Sequence, residues 1–403
     1  MVSTLSYKTW IEVSKHVLNN NLLAVRQLLN PGVKLMAVVK SNAYGHGLVE
    51  TAKILCGHKS SKIQLSGSTT KHLVVESLSE SLSEPLSDEL LSDWLGVDSI
   101  DEAILLRQNG IKAPILVMGY TPPERFTEAV QYNLRLTAYN SFPDPIILNT
   151  CPLLHLKIDT GMSRQGVLVS DLAQFFKSWP EGLEVEGVYT HFANADNLTD
   201  RRYPNLQLSN FKKALNVLNQ HGIKPNITHA SATTGLLTMP QEAQFDMVRV
   251  GIALYGLWPS VEFRKKFKNI KIKPALSWKT RIVQIKTIKK GTPVGYGVTE
   301  RVKKDTKTAI LPVGYYDGYF RALSSIGYVL IGGQKCKILG RISMNLMVVD
   351  VSNVKNPKVW DEVVLIGQQK KSCITVEELA DRIGTISYEI VSRINPLLPR
   401  IYI

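Results

Sequence analysis

An apolar run at residues 35–39 ends on Lys40 and passes directly into a turn that contains Tyr44, Gly45 and Gly47. Because a continuously apolar strand is buried on both faces, its end holds the lysine amine away from bulk water and favours the neutral form. A neutral lysine amine forms Schiff bases with carbonyl compounds and also accepts protons. The pattern predicts a catalytic lysine suited to a cofactor such as pyridoxal phosphate (PLP); a lysine that reaches solvent from a strand end is the ordinary alternative.

Other residues with useful chemistry also accompany apolar runs. Lys157 belongs to one such run and Arg164 follows it, His191 follows another, and Arg249 lies within a third. An arginine guanidinium makes paired, charge-assisted hydrogen bonds with carboxylate or phosphate oxygens. A strand-end arginine such as Arg164 is therefore suited to such oxygens. A structural ion-pair network for Lys157 and Arg164, and a buried core position for His191, are the alternatives.

The elements that would position these residues alternate between short apolar runs and helix-like segments. Helical spacing is clearest at residues 100–109, 171–178 and 206–218, where apolar residues recur every three or four positions. Eight runs are predicted as strands, at residues 35–39, 94–97, 115–118, 134–137, 153–158, 185–190, 227–229 and 248–253. This series predicts an α/β fold built on a parallel (β/α)8 barrel of the TIM type, in which catalytic residues lie at the carboxyl ends of the strands.

The pattern changes after about residue 258 to alternating segments punctuated by turns, which predicts a mostly antiparallel β C-terminal domain. We therefore expect a barrel at residues 14–258 and a β-rich domain at residues 259–403, with a strand within residues 1–13 joining the second domain. Residues 57–92 are rich in serine, leucine and acidic residues and fit neither pattern. We interpret them as a mobile insertion in the barrel.

Composition argues against several classes of protein. The chain has 403 residues, of which 44% are hydrophobic, and no apolar run approaches the roughly 20 residues that a membrane span needs. The N-terminus lacks a secretory signal pattern, so we expect a cytoplasmic protein with no membrane partner.

The four cysteines are widely separated, which predicts free thiols and no metal site. The net charge of +14 gathers partly between Arg264 and Lys307 without interleaved aromatic residues, so we expect no nucleic-acid partner.

The run at residues 37–47 closely resembles the PLP-binding signature of the alanine racemases, which interconvert L- and D-alanine. The segments at residues 153–166, 188–196 and 247–256 resemble further signatures of the same family. The resemblance extends over most of the chain outside the insertion. It implies that PLP is the cofactor, that alanine is the substrate, and that the product D-alanine serves peptidoglycan synthesis.

The resemblance also implies roles for individual side chains. Lys40 would bind PLP as a Schiff base and remove the α-proton of D-alanine, and Arg164 would contact the phenolic oxygen of PLP and the substrate carboxylate. Arg249 would face the pyridine nitrogen and keep it unprotonated, which favours racemisation over side reactions such as transamination. His191 would bond to Arg249, and a carbamylated Lys157 would orient Arg164.

The phosphate group of PLP needs several hydrogen-bond donors, which barrels commonly supply from the loops after strands seven and eight. The positions that match the family are the side chains of Tyr44, Thr233 and Tyr388 and the backbone amides of Gly251 and Ile252. The residue before Thr233 is usually asparagine in the family and is alanine here. The hydroxyl is therefore kept, while a side-chain amide is lost.

Racemisation removes a proton from one face of the α-carbon and supplies one to the other, so two acid–base groups must flank it. Lys40 is the first. Tyr296 matches the second base of the family, and Met344 matches its carboxylate-binding loop; in the family both enter the active site of the partner subunit. The resemblance implies a homodimer with shared sites. Asn345 stands where the family more often has aspartate, which leaves the substrate range open.

Three alternatives remain at this point. A racemase of broader specificity would act on serine or lysine. A non-catalytic PLP-binding barrel protein would resemble only the barrel half, so the second domain with Tyr296 and Met344 argues against it. A two-domain PLP-dependent amino acid decarboxylase would benefit from an acidic partner of the pyridine nitrogen, and Arg249 argues against that activity.

Overall fold

The structure is a computed structural model that describes residues 7–57, 91–139, 152–177, 179 and 183–403. The predicted insertion at residues 57–92 lies outside the described residues except for its ends. Within the described residues, no helix has the length and apolar character needed to cross a membrane.

Strands and helices alternate through the first 250 residues. The strands are β1 (Thr9–Val13), β2 (Lys34–Val38), β3 (Trp94–Val97), β4 (Ile115–Val117), β5 (Arg135–Ala138), β6 (Leu154–Asp159), β7 (Val167–Leu168), β8 (Val185–Tyr189), β9 (Ile227–His229) and β10 (Met247–Val250). The helices are α1 (Lys15–Arg26), α2 (Lys40–Tyr44), α3 (Leu48–Leu55), α4 (Ile100–Gln108), α5 (Phe126–Gln131), α6 (Leu172–Lys177), α7 (Arg202–Gln220) and α8 (Thr233–Thr238).

A nearly closed parallel barrel confirms the predicted fold. Its strand order is β10-β2-β3-β4-β5-β6-β8-β9, and the short β7 pairs with β6. Two backbone hydrogen bonds of 3.0 Å bring β10 beside β9, from Asp246 N to Thr228 O and from Arg249 N to Ser231 O. The carboxyl ends of all eight strands therefore meet at one end of the barrel, which is where parallel barrels place their chemistry.

Side chains alternate between the two faces of each barrel strand. The outward-facing set packs against the helices in one large core. The inward-facing apolar set is small and fully or nearly fully buried, and consists of Met36, Trp94, Leu116, Tyr189, Ile227 and Met247. The rest of the barrel interior carries polar side chains, among them His155 and His229, each 0% exposed.

The second half of the chain forms a largely antiparallel sheet, also as predicted. Its helices are α9 (Val261–Lys266), α10 (Val376–Ile383) and α11 (Ser387–Ser392). Its strands are β11 (Leu276–Arg281), β12 (Gln284–Ile288), β13 (Pro293–Val294), β14 (Glu300–Arg301), β15 (Thr306–Leu311), β16 (Tyr328–Ile331), β17 (Gln334–Leu339), β18 (Met347–Asp350), β19 (Glu362–Gln369), β20 (Ser372–Ile374) and β21 (Arg400–Tyr402). The N-terminal β1 pairs antiparallel with β11 and parallel with β21.

Several predicted elements require correction. The eighth barrel strand ends at Val250, because Gly251 has φ −118° and ψ −89° and turns the chain into a short 3-10 helix. Residues 276–285, within the alternating segments after residue 258, belong to two strands, β11 and β12. Helices α10 and α11 were not predicted, although Thr375 caps α10 by accepting a hydrogen bond from the backbone N–H of Glu378 at 3.1 Å.

The segment α2, directly after β2, is a left-handed turn and not a regular helix. Residues 41–44 have φ angles of 56°, 56°, 50° and 53°, in a region that costs an ordinary residue roughly 1–2 kcal/mol. Local hydrogen bonds support this conformation: Asn42 Oδ1 accepts from the backbone N–H of Leu48 at 2.9 Å, and His46 Nδ1 lies 2.9 Å from the carbonyl oxygen of Tyr44. The strain therefore depends on surrounding contacts for its compensation.

Strand β21 of the second sheet supplies further contacts to this turn. Arg400 Nε donates to the carbonyl oxygen of Gly45 at 3.1 Å, and the hydroxyl of Tyr402 donates to the carbonyl oxygen of His46 at 2.7 Å. A Cβ atom at Gly47 would lie 2.1 Å from the Tyr402 hydroxyl, so no larger residue fits there. The second sheet thus holds in place the turn that begins at Lys40.

Replacement Tyr402→Phe should lower the melting temperature, because the buried carbonyl of His46 loses its donor at a cost of about 1–3 kcal/mol. The matched control is Tyr319→Phe. The Tyr319 hydroxyl is buried and has no hydrogen-bond partner among the described residues, so its removal should not destabilise the protein. Thermal unfolding followed by circular dichroism measures both; equal losses would contradict the proposed support by Tyr402.

Candidate active site

A cavity of about 440 Å³ opens at the carboxyl ends of the barrel strands, a size typical of small-ligand sites. The predicted site residues of the barrel line it together with Tyr388 from α11: Lys40, Tyr44, Lys157, Arg164, His191, Thr233, Arg249, Gly251, Ile252 and Tyr388. Tyr296 and Met344 do not line this cavity. They lie on the surface of the second sheet domain, where they are 71% and 54% exposed.

Lys40 stands at the carboxyl end of β2 and forms an ion pair with Asp98, with Nζ 3.1 Å from Oδ1. Its side chain is 38% exposed, so the expectation of an amine withdrawn from water is wrong for this structure. The reason is that the left-handed turn places Lys40 at the cavity mouth beside an acid. Asp98 directly follows β3, the neighbour of β2. Its position at the end of a strand is the sequence signal that could have identified it as a partner of Lys40.

The loop after β6 is shaped by one carboxylate. Asp159 Oδ1 accepts from the backbone N–H groups of Gly161, Met162 and Ser163 at 2.9, 2.9 and 3.1 Å, and Oδ2 accepts from that of Arg164 at 3.1 Å. A carboxylate that accepts several backbone N–H bonds fixes the path of the loop. The arginine is therefore presented to the cavity from a rigid support that the sequence pattern had not indicated.

Lys157 lies on β6, faces the cavity, and donates from Nζ to the side-chain oxygen of Gln165 at 3.1 Å. Burial, and then the positive charges of Arg164, Arg249 and Lys40, lower the pKa of Lys157 to about 8. Part of this amine is consequently neutral near physiological pH. A neutral amine is the form that reacts with carbon dioxide.

Arg249 is 3% exposed and its two terminal nitrogens are fully engaged. Nη1 lies 2.7 Å from His229 Nδ1 and donates to the His229 carbonyl at 3.1 Å. Nη2 donates to the carbonyl oxygens of Thr190 and Ala230 at 2.6 and 2.9 Å, and lies 3.3 Å from His191 Nδ1. The Nε–H group donates to no acceptor among the described residues. It therefore remains available to a ligand in the cavity.

His191 is neutral in this surrounding. Burial, and then the nearby charges of Arg249, Arg164, Lys157 and Lys40, lower the pKa of His191 to about 3. Since Arg249 only donates, His191 Nδ1 is the acceptor in any hydrogen bond at this 3.3 Å contact, which corresponds to a ring proton on Nε2.

One end of the cavity carries hydrogen-bond donors suited to phosphate. The hydroxyl of Thr233 is buried without a hydrogen-bond partner among the described residues. Burial raises the pKa of Tyr44 and of Tyr388, so both phenols keep their protons and can donate. Gly251 allows close approach, because a Cβ atom there would lie 2.5 Å from the Tyr44 hydroxyl. An unpartnered buried hydroxyl in this position is what an oxygen-rich ligand would satisfy.

These features match the functional groups of PLP one by one. Lys40 carries an amine that can react with an aldehyde, Arg164 and Arg249 carry N–H donors suited to oxygen or ring-nitrogen acceptors, and Thr233 with its neighbours carries donors suited to a phosphate. The parallel barrel with this cavity at its carboxyl end therefore defines a PLP-dependent barrel enzyme.

Comparison with known proteins places the chain more narrowly. A model of the alanine racemase N-terminal domain matches residues 13–63 and 85–259, and a model of the alanine racemase C-terminal domain matches residues 275–402. These matches cover well over half of the chain. The chain belongs to the alanine racemase family, and it is accordingly a PLP-dependent isomerase.

Individual relatives agree with this assignment. An alanine racemase of Leptospira interrogans is 37% identical over 408 aligned residues, which span 99% of this chain and 96% of the relative. An alanine racemase of Methanococcus maripaludis is 36% identical, with 99% of both chains covered. The crystal structure of alanine racemase from Bacillus anthracis with bound L-Ala-P has a TM-score of 0.84 at 33% identity, covering 98% of this chain and 95% of that one.

Raising the pH from 7 to 9 at a fixed concentration of dissolved carbon dioxide should increase carbamylation of Lys157. Because its pKa is lowered to about 8, the neutral amine rises from roughly one-tenth to roughly nine-tenths of the total. Carbon-13 NMR with labelled carbon dioxide measures the carbamate. The signal should be missing from Lys157→Met, and a signal that persists in this variant would assign the modification elsewhere.

Proposed function

We propose that this enzyme interconverts L- and D-alanine by a two-base mechanism and supplies D-alanine for peptidoglycan. The observation that supports this most strongly is the convergence of Lys40, Arg164 and Arg249 with an unpartnered Thr233 hydroxyl on one cavity. The wild-type enzyme, loaded with PLP in deuterated buffer, should racemise L-alanine and place one deuterium at the α-carbon. Serine and lysine, tested alongside, decide between alanine specificity and a broader racemase.

The proposed contacts assign each part of PLP to a residue. Lys40 holds the cofactor covalently, Arg164 binds its phenolic oxygen, and Arg249 donates to the pyridine nitrogen. The side chains of Tyr44 and Thr233, together with Tyr388 and the backbone amides of Gly251 and Ile252, bind the phosphate. Once bound, PLP supplies the electron withdrawal that acidifies the α-hydrogen of the substrate. His191 helps to position Arg249 by accepting a hydrogen bond from Nη2.

Two residues move protons in this proposal. Nζ of Lys40, freed from PLP when the substrate amine takes its place, would remove the α-proton of D-alanine, and the phenol of Tyr296 from the partner subunit would act at the opposite face of the α-carbon. When one group accepts a proton from the α-carbon, the other donates a proton at the opposite face. Both directions of the reaction therefore use the same pair of groups. Arg164 and the backbone amide of the partner subunit's Met344 orient the substrate carboxylate and so fix which face each base meets.

A homodimer is part of the same proposal. Three neighbouring loops of the second sheet domain expose large apolar side chains: Tyr296, Val298, Tyr315, Tyr316, Met344 and Leu346. Backbone hydrogen bonds tie two of these loops together, from Tyr315 N to Ser343 O at 3.1 Å and from Tyr316 N to Met344 O at 2.9 Å. Contiguous exposed apolar surface of this kind is characteristic of protein interfaces.

We further propose the domain division given by the sequence, with a barrel at residues 14–258 and a β-rich domain at residues 259–403 joined by the N-terminal strand. A cytoplasmic location completes the proposal. It is supported by the thiols of Cys56, Cys336 and Cys373, which are unpaired among the described residues and persist in a reducing compartment.

Replacement Lys40→Ala should abolish racemisation and remove the visible absorption that PLP acquires when linked to a lysine, because no other amine occupies its position. Lys34→Ala is the matched control, since Lys34 lies at the opposite end of the same strand with its side chain exposed. Spectra recorded before borohydride reduction measure this band, and the pyridoxyl absorption that remains on the protein after reduction and washing measures the covalent linkage. A Lys40→Ala spectrum equal to that of the wild type would exclude Lys40 as the attachment site.

Replacement Tyr296→Phe should slow α-proton exchange of L-alanine with deuterated solvent by at least about 100-fold, in line with the loss of a general base. Exchange of D-alanine should fall much less, because Lys40 remains. Proton NMR of each enantiomer follows the exchange separately. Tyr132→Phe, a tyrosine at the end of α5, controls for hydroxyl removal; equal effects of Tyr296→Phe on both enantiomers would contradict the two-base assignment.

A further inference from the structure

A line of buried and half-buried polar side chains crosses the barrel interior from the active site to the opposite end. Arg249 Nη1 lies 2.7 Å from His229 Nδ1, and His229 Nε2 lies 2.9 Å from His155 Nδ1. His155 Nε2 lies 3.2 Å from Glu186 Oε2. Arg135 completes the line, with its Nε donating to the same oxygen at 3.1 Å. We name these residues the barrel relay.

The barrel relay spans the length of the strands. Glu186 and Arg135 lie at the amino ends of β8 and β5, whereas His229 and Arg249 lie near the carboxyl ends of β9 and β10. Parallel barrels usually fill this space with apolar side chains. Polar groups that replace them are tolerated when each one is hydrogen-bonded, and a half-satisfied network costs more than an apolar core.

Hydrogen-bond chemistry fixes every proton along the barrel relay. Arg249 can only donate, so His229 Nδ1 must accept and its ring proton sits on Nε2. That proton points at His155 Nδ1, which must accept in turn, so the ring proton of His155 sits on Nε2. The ionised carboxylate of Glu186 accepts that last proton. Each group therefore donates in one direction, from Arg249 toward Glu186.

Electrostatics agree with this arrangement of neutral rings. Burial, and then the positive charge of Arg249, lower the pKa of His229, and burial lowers the pKa of His155 despite the neighbouring carboxylate. Burial acts to raise the pKa of Glu186, but hydrogen bonds from His155 and Arg135 outweigh it and lower the pKa overall. Tyr189 also fixes the orientation of His229, because the two rings stack at 4.8 Å with an angle of 7°.

We propose that Glu186 and His155 are positioning residues for Arg249: they hold the His229 proton on Nε2, so that its Nδ1 lone pair anchors the guanidinium. The inference rests on the proposed role of Arg249 toward the pyridine nitrogen. Without the carboxylate, the two rings can exchange their protonated nitrogens, and His229 Nδ1–H would then oppose the Arg249 donor. The guanidinium would have to turn, which moves its Nε–H away from the ligand.

The direct test is the protonation of the two rings in the PLP-loaded enzyme, measured by nitrogen-15 NMR of protein labelled at histidine. Variants His155→Gln and His229→Gln assign the signals. We expect both rings to carry their proton on Nε2 in the wild type and to show protonated Nδ1 in Glu186→Ala. A protonated Nδ1 on His229 in the wild type would overturn the proposal, and this readout is independent of any activity on alanine.

Kinetics and cofactor spectra test the consequence. Glu186→Ala should lower kcat for alanine by about 10- to 100-fold, as is usual for a lost supporting partner, with KM within about twofold. The absorption maximum of bound PLP should also shift in Glu186→Ala. Glu186→Gln, which still offers an oxygen to His155, should restore kcat to within about threefold of the wild type. An unchanged kcat and spectrum in Glu186→Ala would refute the positioning role.

The control for a merely structural effect is Asp246→Ala. Asp246 Oδ2 accepts from the backbone N–H and the hydroxyl of Thr228 at 2.7 and 2.6 Å, and it lies at the same end of the barrel as Glu186. This variant should lower the melting temperature while kcat stays within about twofold. If Asp246→Ala lost as much kcat as Glu186→Ala, both losses would result from a loosened barrel and not from the positioning of Arg249. Failure of the proposed function has a different signature: an inactive wild type whose histidine protons are nevertheless placed as described.

Discussion

The constraint on which the site depends is the burial of a permanent positive charge. Arg249 is 3% exposed, and burial lowers its pKa to about 10, so it remains charged at neutral pH in a region with little water. Such a charge is tolerated only when oriented acceptors replace its hydration. Three carbonyl oxygens and two imidazole nitrogens do so here. The loops after β8 and β9 are therefore placed by what the guanidinium requires.

The cavity as a whole carries an excess of positive charge. Lys40, Lys157 and Arg164 join Arg249 around it, and Asp98 pairs with only the first of these cations. Asp159 is directed into the backbone of its own loop instead of toward the cavity. A cavity with an excess of cations attracts a phosphate ester and a carboxylate substrate together. Specificity for the cofactor then comes from the geometry of individual donors.

Much of the fold was accessible from the sequence because barrel strands are buried on both faces and read as apolar runs. Lys40 and Arg249, which line the cavity, were singled out for the same reason, as polar residues in or beside such runs. The ion pair with Asp98 was not, since it joins residues 58 positions apart. Nor was the left-handed turn at 41–44, which contains no glycine to signal positive φ. Contacts set by tertiary structure leave no local pattern.

The contact between β21 and the turn after β2 has a consequence for how the protein folds. Tyr402 and His46 are 356 positions apart, and Arg400 and Gly45 are separated by 355. Contacts between such distant segments form slowly, because the entropy of closing a long loop is lost before the contact stabilises anything. Strand β2, which leads into the turn, has one partner that is much nearer in sequence, since its Met36 pairs with Trp94 of β3, and this pair can assemble earlier. The cofactor-binding turn is therefore among the last parts of the molecule to reach its final conformation, and a chain that is otherwise folded still lacks a competent site until β21 docks.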